Sequence, residues 1–163
     1  MDKKFLLTVA LLGLSANAAA QTASSTIDVE IEGRAITLAN TGGLNFGKIL
    51  PYGSAGAVYV NPINGAPSAN NAFISDATSI RVSTWVVTGI PGAPYAVTLP
   101  TSAVVSNGTN NMSIGTFGRS GQTSLFLDAA GNGSFNVGAA VQIGANQPVG
   151  IYTGTFNVTV SYN

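Results

Sequence analysis

The sequence predicts an all-β domain, a sandwich or a barrel, on three observations. Residues beyond the first twenty carry almost no apolar pattern with a helical period. Short strand-like runs recur between turn residues, in a chain holding 20 glycines and 7 prolines. The last stretch, "GIYTGTFNVTVSYN", alternates cleanly. Tyr152, Gly154, Phe156, Val158, Val160 and Tyr162 form one face; Thr153, Thr155, Asn157, Thr159 and Ser161 form the other. That period of two marks a strand with one buried and one polar side.

The elements follow in chain order. Residues 1–20 read as a cleaved signal peptide: Lys3 and Lys4 start it, Phe5 to Leu14 form its apolar core, and small residues offer cuts after Ala18 or Ala20. The core is about ten residues, half of what spans a bilayer. In "STIDVEI", Ile27, Val29 and Ile31 alternate with Asp28 and Glu30, which predicts a strand. "RAITLA" and "GLNFGKIL" are two more, split by "NTGG", and "GAVYVNP" is a short one ending at Pro62. "NGAPSANNAFISDATS" reads as a turn-rich, mobile loop. "IRVSTWVVTG" carries Trp85; "IPGAP" turns the chain and "YAVTLP" returns it. After "VVSNGTNNMSIGTF", Leu125 to Leu127 and Phe135 to Val137 are expected to flank a hairpin turn containing Asn132-Gly133. "GANQPVG" leads into the terminal strand. The expected total is about eight to ten strands in one domain without repeats.

Composition excludes several kinds of chemistry. The chain has no His and no Cys. That removes Cys nucleophiles, Ser–His relays and imidazole or thiolate metal sites, as well as any disulfide framework. Asp28, Glu30 and Glu32 share the polar face of one segment, and Asp76 and Asp128 sit in turns where Asp bonds its own backbone. "DAAGNG" lacks the repeated acids and closing Glu of a calcium loop. The expectation is therefore no enzyme, no catalytic or metal-binding residue and no cofactor. Charged residues make up 7% of the chain, with no basic cluster to neutralise phosphates, so nucleic acid is not an expected partner.

Counted back from Asn163, Tyr162 is penultimate, Gly150 is fourteenth, and Val160, Val158 and Phe156 fall fourth, sixth and eighth. This pattern resembles the C-terminal motif of subunits in chaperone–usher fimbriae. The phrases "LNFGKI", "YAVTLP" and "QPVGIYTGTFNVTVSYN" are also similar to a family of pilin-like secreted domains of unknown function in Gram-negative bacteria. The resemblance implies an immunoglobulin-like β-sandwich, incomplete in itself and completed by an N-terminal strand donated from a neighbouring subunit. It further implies delivery through the periplasm by a chaperone, an outer-membrane usher, and identical subunits joined head to tail in a surface fimbria. Carried over by position, Gly150, Phe156, Val158, Val160 and Tyr162 would line the acceptor groove and meet the chaperone, with Asn163 supplying the held carboxylate. The absence of Cys departs from subunits that carry a disulfide and points towards Cys-free branches.

Elementary physics gives the same expectation a mechanism. An unpaired sheet edge invites another strand, whose main chain pairs while alternate side chains enter pockets. The donor candidate lies in "TASSTIDVEIEG", where Ala23, Ser25, Ile27, Val29 and Ile31 share a face. The competing reading makes this segment strand one of its own sandwich. The resulting division is 1–20 signal, 21–33 donor extension and 34–163 sandwich. Two rivals stay open: a small outer-membrane β-barrel, and a secreted carbohydrate- or surface-binding sandwich in which Trp85, Tyr52, Tyr59 and Tyr95 stack on sugars.

Overall fold

A computed structural model describes residues 25–31, 33–121 and 125–163. The predicted signal segment 1–20, with Ala23 and Glu32 of the extension, lies outside the described residues. The chain divides into two units, Met1–Glu32 and Gly33–Asn163. In the first, residues 25–31 form no strand, and Ile27, Val29 and Ile31 are 89%, 78% and 91% exposed. The segment has the alternation of a strand but no ladder.

The second unit is all-β, with no helix among the described residues. Its strands are β1 (Thr37–Gly42), β2 (Lys48–Pro51), β3 (Gly56–Val60), β4 (Pro67–Asn70), β5 (Ala72–Asp76) and β6 (Ser83–Thr88). There follow β7 (Pro94–Thr98), β8 (Ala103–Ser106), β9 (Asn111–Arg119), β10 (Leu125–Phe126), β11 (Asn132–Ile143) and β12 (Thr159–Tyr162). Every pairing is antiparallel, and the sheets keep free edges, so the described strands form a sandwich-like fold and no closed barrel.

β11 organises the larger sheet. β9 runs along one of its edges; β6 and then β3 share the other, β6 on residues 132–137 and β3 on residues 140–143. β1 lies outside β6, β4 outside β3, and β8 outside β9. Two smaller pieces form the facing layer, β10–β7–β12 and the ribbon β2–β5. Each covers its own part of the core. Val87, Tyr95, Leu125, Leu127, Phe135 and Val137 form one cluster, packed against Val97, Phe156, Val158, Val160 and Tyr162. Val58, Ala72, Ile114, Ala139, Val141 and Ile143 form the other, under Leu44, Phe46, Ile49 and Ile74 of the ribbon side. Phe117 packs against both. It is aimed by a bulge between Gly138 and Ala140 that puts Thr116 at φ 51°, a left-handed conformation β-branched residues resist.

Three sequence expectations change. The predicted loop over "NGAPSANNAFISDATS" contains β4 and β5. β4 is exposed along its whole length, so it is held by backbone pairing to β3 and has no apolar pattern to betray it. The predicted hairpin around Asn132-Gly133 does not form: β10 pairs with β7, β11 pairs with β6, and Asn132-Gly133 is already inside β11. The turn is Asp128–Gly131, where Asp128 Oδ1 accepts the amides of Ala130 and Asn132 at 2.9 and 2.8 Å. Gly131 there takes φ 82°. This turn carries the chain from one layer to the other. Lastly, "NTG" of the expected break belongs to β1; with β4 and β5 the described strands number twelve.

Candidate functional site: a trough between two sheet edges

β1 and β12 are the edges of their layers on one side of the sandwich. Near the C-terminus they close on each other: Leu38, Val158, Val160 and Tyr162 share a cluster. The Tyr162 hydroxyl accepts the Ile90 amide at 2.8 Å and donates to the Arg34 carbonyl at 3.0 Å. It sits so close over Gly89 that a Cβ there would collide with it. Tyr162 therefore pins the start of this body to its end.

Towards the other end the two edges part. β1 runs on into Gly43–Pro51, which pairs with β5 and is bridged at Asn45 to Arg81. The terminal segment bends the other way, and Thr153 makes a two-bond bridge to Ser106 at 2.8 and 3.0 Å. Gly154 lets it lie against β8, because a Cβ there would collide with the Val104 carbonyl. Between that bridge and β12, residues 154–158 belong to no ladder.

A cavity of about 890 Å³ fills the gap. Leu44–Pro51 forms one wall and Gln147–Phe156 the other; Ile114, Val141 and Ile143 form a floor that is itself buried. The rim is different. Leu50, Val104, Val149 and Ile151 all border the cavity and are 55%, 56%, 94% and 85% exposed. Among the described residues Lys48 is the one charged side chain bordering it; its ammonium lies 3.6 Å from Asp76. Hydrogen bonds from the Thr78 hydroxyl and amide, more than Lys48, hold the Asp76 carboxyl below its ordinary value.

Trp85, the chain's single tryptophan, also borders the cavity. Its ring stacks on Phe135 at 6.4 Å and meets Phe156 edge-on at 6.2 Å. Its indole N–H is buried without a partner, a deficit of about 1–3 kcal/mol. The arrangement offers an elongated apolar trough with free backbone on one wall. Among the described residues no group of acids could hold a metal ion.

Of the residues singled out from the sequence, Gly150 and Phe156 border the trough. Val158, Val160 and Tyr162 share the Phe156 face but pack in the closed end of the sandwich. Asn163 donates its amide to the Pro94 carbonyl at 3.3 Å. Trp85 and Tyr95 pack against the core; Tyr95 is 2% exposed, and burial raises its phenol pKa against the lowering influence of Arg119. Ser25, Ile27, Val29 and Ile31 lie in the first unit, and Ala23 is outside the described residues. Sequence reading missed Leu50, Val104, Val149 and Ile151. One signal was available: the odd-numbered face of the tail is polar from Thr153 onward but apolar at Val149 and Ile151.

No curated protein and no solved structure matches the chain. Residues 36–162 match the family described as Domain of unknown function (DUF4402), which spans nearly all of the sandwich, and the chain belongs to that family.

Proposed function

We propose that this protein is the structural subunit of a surface fimbria, exported to the periplasm, held there by a chaperone, and polymerised when the segment around Ile27–Ile31 of one subunit enters the trough of the next. One observation carries the reading. The chain contains a strand-patterned segment without a ladder and, separately, an apolar trough bordered by a free edge. Each supplies what the other lacks.

The ends of the body favour exchange between subunits in a line. The extension begins next to Arg34, which Tyr162 holds at the closed end. The trough opens around Gly150, where Val149 and Ile151 are exposed, and runs inward to Phe156 and Trp85. Phe156 is six residues from Tyr162 along the extended tail, roughly 20 Å at ~3.3 Å per residue. Root and mouth thus face opposite ways, and a repeated contact of this kind is heterologous and builds an open filament. An extension arriving at the mouth enters tip first, its root staying outside. Ile31 then lies nearest Gly150 and Ile27 deepest, towards Phe156 and Trp85. Burying the three side chains contributes about 1.5–3 kcal/mol each. The polar partners Asp28 and Glu30 remain in water.

The test is a gel of the material sheared from cells of the native host, unboiled and boiled, probed for this chain. A ladder at multiples of the subunit mass that collapses on boiling is expected, because strand-locked subunits unfold slowly. The same cells carrying Val29→Asp should give only the monomer band. A single wild-type band with no chain in sheared fibres, or an unchanged ladder from the variant, refutes the proposal.

A further inference from the structure

The loop Gly144–Tyr152 has more internal structure than a passive connection needs. Gln147 Oε1 accepts the Gly144 amide at 3.1 Å, and Gln147 Nε2 donates to the Tyr152 hydroxyl at 2.9 Å. That hydroxyl in turn donates to the Pro148 carbonyl at 2.8 Å. A Gln147–Gly144 backbone bond at 3.2 Å and Asn146 at φ 53° complete the turn. A single side chain thereby ties both ends of the loop together. The result is that Val149 and Ile151 stand 94% and 85% exposed on the rim of the trough. Holding two large aliphatic side chains in water confers nothing on an isolated subunit.

We infer that Gln147 is a positioning residue, acting through Tyr152 to hold Val149 and Ile151 as a lip over the mouth of the trough, and that the lip receives Ile31 of the incoming subunit. This rests on the function proposed above and adds the contact that decides how firmly the strand is held. The floor residues Ile114, Val141 and Ile143 are already buried, so an entering strand gains little new area from them. The gain lies at the rim, where Leu50 and Val104 face the same space. Ile31 is the last apolar residue before Gly33 and so the one that comes to rest nearest a lip at the mouth.

The experiment compares full-length chains in the native host by the temperature at which the unboiled ladder collapses and by the rate at which subunits leave sheared fibres. The variants are Val149→Ser/Ile151→Ser, Ile31→Ser, their combination, Ile27→Ser and Gln147→Leu. The lip pair should speed subunit loss by about tenfold or more, the worth of one buried aliphatic side chain. Ile31→Ser should do the same, and the combination should add little to either, since both remove one contact. Ile27→Ser should add its full effect to the lip pair. Gln147→Leu should match the lip pair, while Gln147→Glu, which keeps the acceptor for Gly144 but can hold the Tyr152 hydroxyl only by drawing it off the Pro148 carbonyl, should lie between the two. Urea unfolding of each monomeric body, followed through Trp85, should be unchanged by the exposed lip substitutions. Full additivity between the lip pair and Ile31→Ser, or wild-type fibres from the lip pair, overturns the lip assignment and leaves strand exchange standing. A wild type without any ladder removes both.

Discussion

Removing one oxygen atom tests how the sandwich is closed. Tyr162→Phe keeps the ring, which packs beside Val97, Val158 and Val160, and deletes only the hydroxyl. That hydroxyl makes two hydrogen bonds, from Ile90 N–H at 2.8 Å and to the Arg34 carbonyl at 3.0 Å. Each is worth about 0.5–1.5 kcal/mol net. Both partners are exposed and regain water, so the lower half of the sum applies: a loss of about 1–2 kcal/mol. Tyr162→Ala also loses the ring and should cost about 3 kcal/mol or more. The assay is urea unfolding followed by Trp85 fluorescence, with the midpoint shifting at constant slope. Tyr162→Phe within about 0.3 kcal/mol of wild type would refute the pinning role, since the hydroxyl would then be no better than water. A loss equal to that of Tyr162→Ala would place the hydroxyl, and not the ring, at the centre of the closure. In neither case should strand uptake change, because the trough opens at the other end.

Three further outcomes follow from named contacts. Gly154→Val should cost about 1–3 kcal/mol in the same urea assay, as its Cβ would collide with the Val104 carbonyl and open the Thr153–Ser106 bridge. Thr116→Asn should gain about 0.5–1 kcal/mol, because Asn tolerates the φ of 51° that Thr resists and the site is exposed. Stability should be nearly flat between about pH 5 and 9, since no histidine titrates. Tyr95 has a raised pKa, so its contribution is complete below the ordinary value of 10.0 and is lost as pH climbs from there through the raised folded value. Asp76 has a lowered pKa, so its contribution is present above the ordinary 3.8 and lost as pH falls through the lower folded value; lying at the surface, half-buried beside an exposed Lys48, it matters little. Urea midpoints across pH 3–12 check both limbs, and a step near pH 6.5 would contradict them.

The class of fold and most strands were legible because burial writes period two into the chain. "STWVVT" and "PYAVT" form strands where expected, whereas of the tail expected as one strand from Tyr152 only Thr159–Tyr162 pairs, because Thr153 and Gly154 are drawn aside to β8 and residues 154–158 join no ladder. β4 was illegible for a physical reason: an exposed edge strand is specified by the hydrogen bonds of its neighbour, and "PSAN" carries no pattern. The Asn132-Gly133 expectation failed because a turn signal competes with its context. Asp128 and Gly131 complete a turn two residues earlier, and the Gly89–Gly131 backbone bond at 2.9 Å locks it. The trough was half legible. Its aromatic wall at Phe156 stands in the alternating tail, whereas its floor at Ile114, Val141 and Ile143 comes from strands far apart in sequence.

The distribution of exposed apolar residues bears on the partner proposed for so weakly charged a chain. Ile27, Val29 and Ile31 in the extension, with Leu50, Val104, Val149 and Ile151 on the rim, make up seven of the twelve large exposed aliphatic or aromatic residues among the described residues. Tyr52, Ile63, Phe73, Ile90 and Phe126 are the remainder. Singly exposed apolar residues are ordinary, whereas a concentrated set marks an interaction surface. Here there are two sets: a strip shaped like a strand, and a trough bordered by a strand without a ladder. Charges at 7% of the chain leave little to keep two such surfaces apart in water. Under the proposed exchange their mutual burial would satisfy both at once, and because each subunit would present both, every addition would renew the need at the end of the line.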